Sequence, residues 1–314
     1  VSRIYLAPME GVVDFVIRDL YGLIGGYDQM TTEFVRVTDK LLPPKVYHRY
    51  CPELNTGGKT QTGIPVYVQL LGGDPICLAE NAALATELGA PGIDLNFGCP
   101  AKTVNRHDGG AKLLQNPHRL FDIISAVKKA APGQVVTAKV RLGFEDKSLS
   151  NEIAQAVDQA QAHHLIIHAR TKVEGYKPPA HWEYIAKMKE HCPNTKVIAN
   201  GDIWTVEDYK LCRNIAGCED VALGRGAFAN PYLAKAIKSE IPDSDSDSQW
   251  KELETRWLPQ FIHKSLEFKN EHYAVTRTKQ WTKFLGRNFI PSGNLFESIK
   301  RNRSLEEVKS HITF

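Results

Sequence analysis

The sequence has no CxxC pair: its six cysteines, Cys51, Cys77, Cys99, Cys192, Cys212 and Cys218, are scattered through 314 residues. A disulfide framework is not expected from so sparse a set in so long a chain. Metal is not expected either, because no carboxylate or histidine stands at ligand spacing beside His168. No apolar run approaches the roughly 18 residues of a membrane span. The longest candidates, such as Val135 to Val140, have the length of short strands. The opening residues VSRIYLAPM enter a strand pattern at once, with none of the charged-then-apolar order of a signal peptide. These absences lead to the expectation of a cytoplasmic, reduced protein with no membrane partner, and a monomer is the default. Charge of one sign is also missing overall: 39 Lys and Arg stand against 36 Asp and Glu, a net +3. That balance does not by itself argue for a nucleic-acid partner.

What is present alternates. With 42% hydrophobic and 24% charged residues, the composition is that of an ordinary globular protein. Its length suits one large domain or two smaller ones. Short runs rich in Val, Ile and Leu predict strands over Ile4–Met9, Gln29–Glu33, Pro65–Leu71, Gly92–Asn96, Val135–Arg141, Leu165–His168, Val197–Asn200 and Asp220–Gly224. Most are apolar on both faces, as buried parallel strands are. Amphipathic segments between them predict helices over Ile76–Leu88, Pro117–Ala131, Asn151–Ala162 and Val206–Ile215. This alternation predicts an α/β fold, a (β/α)8 TIM barrel. A doubly wound open sheet is the runner-up, lowered because no GxGxxG follows the first strand.

At Ser239–Ser248 the composition breaks into SEIPDSDSDS, an acidic, Ser-rich stretch that reads as a solvated linker. Beyond it, helices are predicted over Gln249–Phe268, Tyr273–Leu285 and Leu305–Ile312, with no strands. The chain is thus divided into a barrel at 1–240, a linker at 241–249 and a small C-terminal all-helical bundle at 250–314. From His263 to Arg303 nine Lys and Arg face three Asp and Glu, so the near-neutral total hides a basic module. Charge alone is also compatible with a solvated helix surface. Interleaved Tyr273, Trp281 and Phe284 tilt the reading toward nucleic acid.

In a β/α barrel the active site lies at the C-terminal strand ends, and here those ends are polar one after another. They carry Pro8-Met9-Glu10-Gly11, Glu33, Gln69, Asn96 to Pro100, Lys139 and Arg141, His168 and Arg170, Asn200-Gly201-Asp202, and Gly224-Arg225-Gly226. The last two are Gly-rich strand–helix turns whose backbone N–H groups suit a phosphate. Lys139 lies on the opposite strand face from Ala138 and Val140, so it points into the barrel and needs an anionic or electron-rich partner. A structural ion pair and a cation beside a flavin ring both satisfy that need. Cys99, on a tight turn between Gly98 and Pro100, is a candidate proton donor if its thiol stays neutral. It is a nucleophile if its pKa is depressed, and a small apolar residue if neither holds.

Several segments resemble the tRNA-dihydrouridine synthases. They are APMEGVVD at Ala7–Asp14, TEFVRV at Thr32–Val37, VQLLG at Val68–Gly72, DLNFGCPAKTVNRHDGGAKLL at Asp94–Leu114, AKVRLG at Ala138–Gly143, HARTKVEGY at His168–Tyr176, ANGDIW at Ala199–Trp204 and LGRGAFANP at Leu223–Pro231. The likeness spans essentially the whole chain. LLPPKVYHRYCPEL at Leu41–Leu54 and the basic tail are most similar to the C-type bacterial branch, associated with uridine 16 of the tRNA D-loop. The resemblance implies a tightly but non-covalently bound FMN in the barrel, with NADPH as reductant. It implies that hydride reaches C6 of a uracil while Cys99 protonates C5. Carried over position by position, Pro8, Met9, Glu10, Gln69, Lys139 and His168 would surround the flavin ring. Asn200, Gly201, Asp202, Gly224 and Arg225 would hold its ribityl phosphate. Asn96 would touch the target base, and Arg36, Tyr176, Arg277 and Lys279 would contact the tRNA. Arg106-His107-Asp108 departs from the smaller residues often found in that loop. Two other readings stay open here: a flavin barrel acting on a free pyrimidine such as dihydroorotate, and a tRNA-binding protein that has lost catalysis.

Overall fold

The computed structural model describes residues 2–239 and 245–312. Strands β1 (Ile4–Leu6), β2 (Gln29–Thr31), β3 (Val66–Leu71), β4 (Ile93–Asn96), β5 (Val136–Arg141), β6 (His164–His168), β7 (Lys196–Asn200) and β8 (Val221–Leu223) run parallel, each beside the next. Pairing of Ile4 with Val221 and of Met30 with Val66 closes the sheet into a barrel. The fold expected from the alternation is therefore present, and the open sheet is excluded by this closure.

The strands form because both faces are buried. Outward residues such as Val68, Ala138, Val140, Leu165 and Ile167 are fully covered by the surrounding helices. Inward, Tyr5, Ala7, Ile166, Ile198 and Ala222 form a second, smaller cluster inside the barrel. Some helices start at side-chain caps, which satisfy N–H groups the first turn leaves open. Asp14 accepts from Ile17 N, Asp74 from Cys77 N, and Thr205 with Asp208 builds a capping box ahead of Val206–Ala216.

The second strand departs from its expected length. It stops at Thr31, because Thr32 uses its hydroxyl to accept from Gln69 N at 3.0 Å. Pairing resumes only at Val35–Arg36, beside Leu70 and Leu71. Glu33 is freed by this interruption to turn toward the loop after β1, where it accepts from Gly11 N at 2.5 Å.

The helical module begins at Ser246, so the last residues of the expected linker are helical, and residues 240–244 lie outside the described set. A helical run over Ser246–Phe268, widened by a π turn at Leu253–Trp257, leads into helices Glu271–Leu285, Ile290–Ile299 and Leu305–Lys309. Trp281 is its fully buried centre. It meets Phe261 of the module at a ring separation of 4.8 Å, and Tyr21 and Phe228 of the barrel at 6.4 Å each. Trp281 is therefore packing, not an RNA-stacking residue, and Tyr273 likewise turns inward to donate to the Asp14 carboxylate. No helix among the described residues is long and apolar enough to cross a membrane.

Candidate functional site

The polar strand ends surround one cavity of about 460 Å³. Pro8, Met9, Glu10, Gln69, Asn96, Cys99, Lys139, His168, Tyr176, Asn200, Gly201, Asp202, Gly224 and Arg225 all line it. Period-two alternation explains this convergence. Gln69, Lys139, His168 and Asn200 each stand near a strand end on the inward face, so parallel strands in register aim them at one volume.

A chain of hydrogen bonds rises from the barrel centre to Cys99. Thr137 donates to Asp94 at 2.6 Å, Gln69 donates to the other Asp94 oxygen at 2.7 Å, and Asn96 donates to Gln69 Oε1 at 2.9 Å. Asn96 Oδ1 then accepts from Gly98 N at 2.9 Å and Cys99 N at 3.0 Å. The backbone of the Cys99 turn is thus fixed by side chains of β3, β4 and β5. Asn105 clips the far side, donating to the Cys99 carbonyl at 3.2 Å and accepting from Lys112 N at 2.7 Å. Burial pushes the Cys99 thiol above its usual range, and the Glu10 carboxylate adds to this against the opposing Arg141 and Arg36. A neutral thiol follows, which favours an acid over a nucleophile.

Lys139 holds no carboxylate in an ion pair among the described residues; its ammonium donates to Asn200 Oδ1 at 3.3 Å. Burial, with Arg141 nearby, pulls its pKa down to about 8, against the pull of Asp94. His168 is held neutral for the same reason: burial first, then the cations Arg141, Lys139, Arg170 and Arg225. Glu10 is pushed up to about 7 by burial and by the neighbouring Glu33 charge. The site therefore gathers a lysine with no ion-pair partner, a neutral imidazole and a neutral thiol around one volume.

At the far end Asp202 joins two guanidinium groups. It pairs with Arg170, which is fully buried, and with Arg225 at 3.1 Å. Arg225 also stacks on Tyr176 and Trp204, at 4.8 and 5.3 Å from the ring centres. Gly201 has φ +126°, which a side chain adopts poorly, and a Cβ there would come within 3.2 Å of the His168 ring. At Gly224 an added Cβ would meet only the Met9 sulfur at 3.7 Å, so the missing side chain leaves room within the cavity.

Three residues expected to meet RNA have other work in this structure. Arg277 is 5% exposed; it donates to the Gly11 carbonyl at 2.8 Å and the Val12 carbonyl at 2.5 Å, and pairs with Asp14 at 3.0 Å. It clamps the loop after β1 rather than standing free for a phosphate. Lys279 donates to the Asn302 carbonyl, and Arg36 to the Thr103 carbonyl at 3.3 Å. Tyr176, in contrast, is 54% exposed at the cavity.

Arg141, Arg170, Trp204 and Phe284 belong to the site without having been assigned a role in it. The first two carried a signal, since they repeat the two-residue spacing after Lys139 and His168. Phe284 carried none for the cavity: it lies on a helix of the separate module, and only tertiary packing, including its contact with Phe228 at 4.9 Å, brings it there. In the loop after Cys99, Asp108 binds Arg119, which also donates to the Gly73 carbonyl at 2.8 Å. The departure at Arg106-His107-Asp108 thus supplies an anchor for that loop.

A family model described as dihydrouridine synthase matches residues 5–313. A protein of Shewanella oneidensis named tRNA-dihydrouridine(16) synthase is 48% identical over 308 residues, covering 98% of this chain and 96% of its own. One of the same name from Aquipseudomonas alcaligenes is 46% identical, covering 98% and 97%. Among solved structures, histamine dehydrogenase from Rhizobium sp. 4-9 superposes with TM-score 0.57 at 12% identity, over 76% of this chain and 46% of that one. Morphinone reductase in complex with tetrahydroNAD gives 0.52 at 12% identity, over 79% and 90%. At such identities the structural likeness speaks for the barrel alone.

Proposed function

The chain belongs to the dihydrouridine synthase family, and on that premise we propose that it reduces uridine 16 of the tRNA D-loop to 5,6-dihydrouridine. Flavin-dependent reduction of uridine in tRNA is the activity of this family, and the site suits it. The observation that carries the proposal is a neutral thiol held rigidly in the same cavity as an unneutralised lysine.

FMN fits the residues present. The Gly201 and Gly224 turns, with Arg225, suit a terminal phosphate, and the unneutralised Lys139 suits the electron-rich edge of the ring. When bound, the flavin supplies the hydride that ends on uracil C6, and NADPH is the proposed source of its electrons. Around it Gln69 offers a fixed amide, and His168 offers a neutral ring nitrogen. Cys99 faces the base and gives its proton to C5, with the pKa that burial sets keeping the proton on sulfur until then. Asn96 has two amide hydrogens and uses one on Gln69, so the other remains for the base.

A uracil in a folded tRNA has to leave its stack to enter this cavity, and a loop nucleotide does so most cheaply. Tyr176 supplies an exposed ring to receive it. Exposed Lys269, Lys283, Arg301 and Arg303 of the helical module suit phosphates without reading sequence. This supports a division into a catalytic barrel and a tRNA-binding helical module that starts at Ser246, acting in the cytoplasm where tRNA is processed.

Incubating unmodified tRNA with the protein, FMN and NADPH, then mapping dihydrouridine in fragments by mass spectrometry, tests the proposal. One new dihydrouridine at position 16 is expected. Reduction at another position overturns the site choice, and reduction of free pyrimidines alone overturns the tRNA substrate.

A further inference from the structure

One arginine near the cavity lacks the partner that its neighbours have. Arg287 follows helix Glu271–Leu285 and is exposed. Its guanidinium carbon lies 3.5 Å from the centre of the Trp204 ring, a face-on contact. Among the described residues it makes no ion pair. Arg225, on the same indole, is balanced by Asp202 at 3.1 Å. Arg170 pairs with that same carboxylate. One carboxylate therefore serves two of these guanidinium groups, and Arg287 is left as an uncompensated cation beside a cavity-lining aromatic ring.

We propose that Trp204 and Arg287 form a subsite for the nucleotide adjacent to the uridine that enters the cavity, a proposal that rests on the tRNA reading above. A guanidinium stacked on an indole keeps its five N–H donors in the plane, pointing away from the ring. That edge accepts a phosphodiester, and its open face accepts a base, as arginine planes do in single-stranded RNA recognition. The stack also restrains the long side chain before the ligand arrives, which lowers the ordering cost of binding. A polynucleotide suits the position better than a small reductant. Arg287 belongs to the helical module, where Lys269, Lys283, Arg301 and Arg303 are also exposed, so the same module offers further cations to a polynucleotide.

The test is steady-state reduction of unmodified tRNA by Arg287→Ala, Arg287→Lys and Trp204→Leu in the flavin-loaded full chain. The expected result for Arg287→Ala is a KM for tRNA raised roughly tenfold with a much smaller change in kcat, in line with the loss of one stacked contact. Its log–log salt dependence of tRNA binding should fall by about one unit, and Arg287→Lys should restore the slope but not the KM. Trp204→Leu should resemble Arg287→Ala if it retains flavin. Should it lose flavin, the exposed Arg287 still decides the matter. An unchanged tRNA KM and salt slope in Arg287→Ala overturns the subsite. So does a defect confined to flavin reduction by NADPH, which would assign the stack to the reductant. Absence of dihydrouridine with the native chain as well would instead overturn the function on which the proposal rests.

Discussion

Cys99 and Lys139 show how burial selects chemistry at a single residue. Burial of a thiol raises its pKa, and burial of an amine lowers it, because both shifts disfavour the charged form. Cys99 therefore keeps its proton at neutral pH. Cys99→Ala should retain flavin but lose dihydrouridine formation by roughly 10²–10⁴-fold, the usual worth of a positioned general acid. Single-turnover reduction of tRNA read by mass spectrometry checks this; undiminished turnover would remove the thiol from proton transfer. For Lys139 the sign runs the other way. Its ammonium predominates below about 8 and is lost as pH rises through that value, well before the ordinary 10.5. A ligand edge that favours the ammonium then binds most tightly below about 8 and weakens by up to tenfold per pH unit above it. Flavin titration of the flavin-free protein should show this decline. Lys139→Met should bind more weakly at neutral pH and follow a flatter profile.

Among the elements, the segment Leu41–Leu54 illustrates how a surface excursion is pinned. Arg18, fully buried in helix Phe15–Ile24, pairs with Glu53 at 2.8 and 2.9 Å and donates to the Val13 and Tyr50 carbonyls. Removing one partner of such a buried pair leaves a charge without compensation. Glu53→Ala should therefore destabilise the protein by about 3–5 kcal/mol, measured by denaturant unfolding. The same helix was not among those read from the sequence, and its burial is extensive. Val16, Ile17, Arg18, Asp19, Leu20 and Tyr21 are all buried, because the helix is covered by both the barrel and the helical module. Helices Pro117–Ala130 and Val206–Ala216, with one face to solvent, were legible to within a residue or two.

Across the whole molecule, the helical module holds the active-site wall as well as offering basic surface. Arg277 and Gln280 both donate to the Gly11 carbonyl, Arg277 and Tyr273 both meet Asp14, and Lys264 pairs with Asp19 at 2.6 Å. The loop carrying Pro8, Met9 and Glu10 is thereby tied to the module. Arg277→Ala should lower the denaturation midpoint and the flavin content of the purified protein together. If it lowered tRNA affinity alone, with both of those unchanged, Arg277 would act as a phosphate contact and not as the clamp. Lys264→Ala, at the same joint but away from the cavity wall, should lower the midpoint with a smaller effect on flavin content.

Sequence alone determined the barrel, its eight main strands and the inward set Gln69, Lys139 and His168. Those features follow from short-range regularities: strands buried on both faces, and side chains that alternate with period two. The motif around Cys99 likewise pointed to the family, and the resemblance, rather than the turn itself, implied that Cys99 is the proton donor. Tertiary structure decided what each charge is free to do. Arg277, Lys279 and Arg287 look alike in a basic run, but only packing reveals that the first is buried on a carbonyl loop, the second capped by Asn302, and the third left on an indole. The difference is physical. The availability of Arg277 and Arg287 depends on partners more than 80 residues away along the chain, Asp14 and Trp204, and no local pattern encodes that distance.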